Sequence, residues 1–128
     1  MYEPSAAENR AAATVVDAAF KVHSTLGPGL MESVYEQCLF HELELRAVPV
    51  ARQVTIPIVY GDLRVENAYR IDLLVGGRVV VEIKAVDHMQ PVFEAQLLTY
   101  LRLSGLHLGL LINFNVPLIK DGIRRRVI

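Results

Sequence analysis

Residues 69–86 read YRIDLLVGGRVVVEIKAV. Two apolar runs rich in Val, Ile and Leu flank Gly76-Gly77, the signature of two strands joined by a tight connection. Any fold must bury these runs in a sheet. Yet Asp72, Glu82 and Lys84 interrupt them. Charged side chains seldom occupy such strands unless something pairs them or uses them.

The connection decides whether the two acids meet. In a two-residue hairpin, Val75 pairs with Arg78 and Asp72 with Val81, and Asp72 and Glu82 then face opposite ways. A three-residue loop of Gly76, Gly77 and Arg78, or a bulge, brings them to one face. Adjacent glycines reach the positive φ that such a loop needs. The sequence permits the meeting without forcing it. Glu82 and Lys84 share a face in either case, because strand side chains alternate.

The remaining elements read in order. After a loose lead-in at residues 1–7, apolar residues at Val15, Val16, Ala19, Phe20 and Val22 predict a helix from Glu8 to about Leu26. GPGL at 27–30 ends it. A second helix is expected from Met31 to Arg46, with Val34, Cys38 and Leu45 near one face and Tyr35 and Leu39 beside them. Glu32 and Glu36, four apart, project together. Alternating Val54, Ile56, Ile58 and Tyr60 predict a strand, which Pro57 consigns to an edge or turns its missing N–H outward. Strands follow at 63–75 and 78–86. Pro91 opens a helix that ends at Gly105, with Phe93, Leu97, Leu98, Leu101 and Leu103 apolar. LGLLINF at 108–114 reads as a central strand, and 123–128 as a short last one. This order, α-α-β-β-β-α-β with one more β, predicts a single mixed α/β, α+β-like domain over residues 1–128.

Composition narrows the function. The net charge of −1 gives no global case for nucleic acid or membrane, so such binding needs a local patch. The densest, Arg124–Arg126 near Lys120, reads as a solvated edge. A single cysteine, Cys38, forms neither an internal disulfide nor a zinc cluster, which suits a reducing, cytoplasmic setting. The polar N-terminus carries no leader pattern, and no apolar run approaches the roughly 18 residues of a membrane span.

Two carboxylates converging from neighbouring strands make a hard-oxygen site, which suits Mg²⁺ or Mn²⁺ with waters and substrate phosphates. A lysine beside that ion stabilises a nucleophile or the charge developing on a phosphate. The chemistry expected is metal-dependent phosphodiester hydrolysis. The bland counterpart is an ion pair of the acids with Lys84 or Arg70 on a solvated sheet face.

Asp72 followed by Glu82-Ile83-Lys84 resembles the signature of the PD-(D/E)XK nuclease superfamily, although Ile71 stands where a proline often precedes the first acid. GPGLMESVYE at 27–36 resembles the motif of the GxxExxY family at Gly29, Glu32 and Tyr35, and YRIDLLV, VVVEIKAV, EAQLLTYL and LLINF follow in that family's order, covering residues 12–115. The resemblance implies a restriction-endonuclease-like αβββαβ core with one mixed sheet and an extra N-terminal helix. It implies Asp72, Glu82 and the Ile83 carbonyl as metal ligands, Lys84 as the water-activating residue, and Glu32 or Glu36 completing the site. Gln96 and Tyr100 look like the extra Q-x3-Y motif of RecB-type nucleases, where both line the site.

The four histidines show no metal-ligand spacing, and His88 reads as a loop residue. Asn113, closing an apolar strand, reads as a backbone partner. Gly27 and Gly29 lack the strand and the Lys-Ser/Thr of a phosphate loop. DNA or RNA is the expected partner, with a homodimer able to supply further surface. The alternative is a non-catalytic binding module that keeps the fold.

Overall fold

A computed structural model describes residues 1–128. Helix α1 (Ala6–Leu26) starts at a capping box: Ser5 accepts from the Glu8 N–H, and the Glu8 carboxylate accepts from the Ser5 N–H. Tyr2 hydrogen-bonds Glu8 and stacks on His107, tying down the lead-in. Helix α2 (Glu32–Leu45) follows the glycine turn. The long strands β1 (Val50–Tyr60) and β2 (Leu63–Val75) form a hairpin, then come β3 (Val79–Lys84), α3 (Pro91–Ser104), β4 (Leu108–Asn113) and β5 (Ile123–Val127).

The five strands form one mixed sheet in the order β1-β2-β3-β4-β5. Only β3 and β4 run parallel, joined by α3, as a crossover between parallel strands requires. Pro57 lies on the edge strand, where the register shifts between Ile56 and Ile58. All six residues of β4 are buried, as a strand covered on both faces must be. No helix is long and apolar enough to cross a membrane.

Alternation in β3 and β4 sorts the core into two layers. Val79, Val81, Ile83, Leu108, Leu110 and Ile112 pack against α1 and α2. Val80 and Leu111 pack against Leu97 and Leu101 of α3. Gly109 lets α3 approach closely, since a Cβ there would lie 2.7 Å from Leu97 Cδ1.

Two helix faces differ from the sequence expectation. In α2 the buried face is Tyr35, Leu39 and Leu43 together with Glu36, while Leu45 is 68% exposed. In α3 only Leu97 and Leu101 are fully buried, and Leu103 is exposed. The reason is helical rotation: Leu45 and Leu103 each follow a fully buried leucine, Leu43 and Leu101, by two residues, which turns them about 200° away to the outer face.

The turn between α1 and α2 hangs on Tyr35. Its hydroxyl donates to the Gly27 carbonyl at 2.6 Å and accepts from the Leu30 N–H at 3.1 Å. Its ring stacks on Phe114 with centroids 4.7 Å apart. Gly29, at φ 100°, donates its N–H to Asn115 Oδ1.

Candidate active site

The connection between β2 and β3 is the three-residue loop. Val75 pairs with Val79, leaving Gly76, Gly77 and Arg78 outside the ladder, with φ of 62° and 66° at the two glycines. The pairing runs only as far as Leu73 and Val81. At the next step the strands part, and the acids take over the hydrogen bonding. Glu82 Oε2 accepts from the Asp72 N–H at 2.8 Å, and Asp72 Oδ2 accepts from the Ile83 N–H at 2.8 Å. Each acid thus clasps backbone of the other's strand, which brings the two carboxylates together.

Glu82 is 6% exposed. Burial, and then the neighbouring Asp72 charge, push its pKa up to about 8. Burial also raises Asp72, against the Ile83 N–H, which favours the charged form. Glu32, at the first position of α2, is raised chiefly by desolvation, with Lys84 opposing and Asp72 reinforcing. Tyr100 is raised by burial and by the charges of Glu82 and Asp72. Glu32, Asp72, Glu82, Lys84 and Tyr100 therefore share one electrostatic neighbourhood at the fork.

Lys84 pairs with no carboxylate within ion-pair distance, and neither does Arg70. Instead the Lys84 ammonium sits 4.5 Å from the centroid of the Phe93 ring. Phe93, Gln96 and Tyr100 lie on successive turns of one α3 face. Tyr100 stacks on Tyr69, centroids 4.6 Å apart. Gln96 is half-buried there and bonds to none of the acids.

Glu36 is 7% exposed and fully engaged. Oε2 accepts from Arg52 Nη2 at 3.0 Å, and Oε1 from Gln53 Nε2 at 2.7 Å. Nothing in the sequence marks Arg52 and Gln53, since two polar residues before an alternating strand carry no signal of what they reach. Phe93 shows in the sequence only as an apolar helix residue. Asn113 bonds backbone on all sides: Nδ2 donates to the Val86 carbonyl, and Oδ1 accepts from the Val86 and Asn115 N–H groups.

No three carboxylates, histidines or cysteines converge closely enough to form a complete metal cage. The pair Asp72–Glu82 nevertheless fits an ion of the Mg²⁺ type. Such an ion takes one or two carboxylates and draws its other ligands from water and phosphate, and each acid keeps one oxygen outside the clasp.

The model of the PD-(D/E)XK nuclease superfamily matches residues 9–126. No curated protein and no solved structure matches the chain.

Proposed function

The chain belongs to the PD-(D/E)XK nuclease superfamily, and from that premise we propose that it hydrolyses phosphodiester bonds of DNA or RNA with Mg²⁺ or Mn²⁺. Within the superfamily we assign it to the GxxExxY family, on Gly29, Glu32 and Tyr35. The observation that carries the reading is the clasp at the strand fork, which holds two acids side by side next to an unpaired lysine.

Asp72 and Glu82 bind the ion through the oxygens left outside the clasp, the Ile83 carbonyl completes the protein's direct share, and Glu32 reaches the ion through a bound water. Glu32 is preferred to Glu36 because both Glu36 oxygens are taken by Arg52 and Gln53. When bound, the ion supplies positive charge and Lewis-acid polarisation at the phosphate. The Lys84 ammonium orients the attacking water, and Phe93 fixes where that ammonium sits. Tyr100 and Gln96 hold the substrate strand against α3. Burying the acids in strands keeps these distances fixed by the core.

The test is a panel of single-stranded, duplex and branched DNA and RNA, incubated with Mg²⁺ or Mn²⁺. Metal-dependent cleavage abolished by Glu82→Ala and Lys84→Met is expected. Intact substrates throughout the panel would overturn the reading in favour of a binding module.

A further inference from the structure

Three residues other than glycine have positive φ: Ala47, Gln53 and Asn67. Ala47 lies in the turn after α2, and asparagine enters this region readily. Gln53 is different. It stands inside β1 with φ of 51°, where a residue with a long side chain persists only if its surroundings hold it. The ladder between β1 and β2 pairs Arg52 with Leu73 and Val54 with Ile71, and skips Gln53 and Asp72. The strained residue therefore lies directly across from an acid of the candidate site. The packing changes there too. Leu73 belongs to the layer under α1 and α2, while Ile71, two residues away, belongs to the layer under α3.

The side chain explains what the backbone holds. Gln53 Nε2 donates to Glu36 Oε1 at 2.7 Å. The same amide neighbours Asp72, which stands directly across the skipped rung. An amide nitrogen carries two N–H donors, enough to serve both carboxylates. Glu36 has nowhere else to turn, because Arg52 occupies its other oxygen.

We propose that Gln53 is a positioning residue: its left-handed backbone aims its amide between Glu36 and Asp72 and so sets the Asp72 carboxylate for metal. This rests on the metal-dependent reading above. It adds a group that touches neither metal nor substrate and acts through the ligand. Glycine or asparagine would suit the backbone better, but neither delivers an amide over this distance.

The experiment titrates Mn²⁺ calorimetrically at pH 8 and 25 °C into the wild type, Q53N, Q53G and E82A, with apo melts of each. Asn keeps the left-handed backbone and withdraws the amide by one carbon. Gly removes both strain and amide. Both variants lose the bond to Glu36, which lowers the melting temperature, and shed backbone strain, which offsets part of that loss; Mn²⁺ affinity falls about tenfold or more, the usual effect of losing a partner behind a metal ligand. A merely structural Gln53 would lower the melting temperature and leave Mn²⁺ affinity within about twofold. That result overturns the inference alone. Wild type that binds no Mn²⁺, or binds it as well in E82A, overturns the metal reading and this inference with it.

Discussion

Asp72 and Glu82 bind each other's strands rather than each other: each carboxylate accepts a backbone N–H at 2.8 Å from across the fork. Two like charges are thereby fixed together in a buried place, and the cost falls on Glu82, whose pKa rises to about 8. The sign of the pH dependence follows. An unfolded glutamate releases its proton near 4.5, while the folded one keeps it up to about 8. Between these values the unfolded state binds fewer protons, so stability falls as pH rises and levels off above the folded pKa. Urea denaturation of the metal-free protein at pH 5 and pH 9 should show a loss of roughly 2–4 kcal/mol. Glu82→Gln, which retains an acceptor for the Asp72 N–H, should flatten most of it. An unchanged slope in the variant would assign the loss to other groups.

A divalent ion should reverse that penalty. Mn²⁺ at about a hundred times its dissociation constant stabilises a folded protein by about 2.7 kcal/mol, a rise of roughly 5–15 °C for a domain of this size. The ion must displace the Glu82 proton, so the shift should grow from pH 6 to pH 8.5. Glu82→Ala should abolish it. A shift equal at both pH values would mean that the ion binds elsewhere.

Much of this site was legible in the chain. Alternation and the glycine pair placed Asp72, Glu82 and Lys84 on adjoining strands, and the loop that aligns the acids is one of the connections the sequence allowed. What stayed hidden depends on tertiary approach. Nothing in ARQV says that Arg52 and Gln53 reach a glutamate of the preceding helix. Glu32 and Glu36 share a helical face, and only their partners separate them. Leu45 is apolar, yet it lies two residues past the buried Leu43, on the opposite face of α2 from Tyr35, Leu39 and Leu43, and reaches solvent.

Lys84 separates catalysis from charge balance. It makes no ion pair, and its ammonium rests on Phe93, so removing it breaks no bridge. Lys84→Met should leave the apo melting temperature at pH 6 within about 3 °C of the wild type, in keeping with the small effect of substitutions outside such networks. In the proposed role, loss of Lys84 should lower cleavage by about a hundredfold or more, the usual effect of removing a charge that stabilises a reacting centre. A large drop in stability with activity retained would make Lys84 a structural counter-charge.

Glu32 and Tyr35 stand three residues apart in one motif and should fail in different ways. Tyr35 is 0% exposed, and its hydroxyl joins the Gly27 carbonyl to the Leu30 N–H. Tyr35→Phe leaves both groups without that partner, at a cost of about 1–3 kcal/mol, and should lower the melting temperature by several degrees. Asp72 and Glu82 are held by strands, so Mn²⁺ affinity at 25 °C should stay within about threefold, well short of the loss of a ligand's support. Glu32→Gln should invert the pattern. At the first position of α2 the substitution forfeits a helix-dipole interaction of about 0.3–1 kcal/mol, while removing the negative charge that the proposed ion site would use. Melts and Mn²⁺ titrations of the two variants check both halves. Equal effects on affinity would mean that the motif serves the metal only by shaping the turn, with Glu32 no ligand at all.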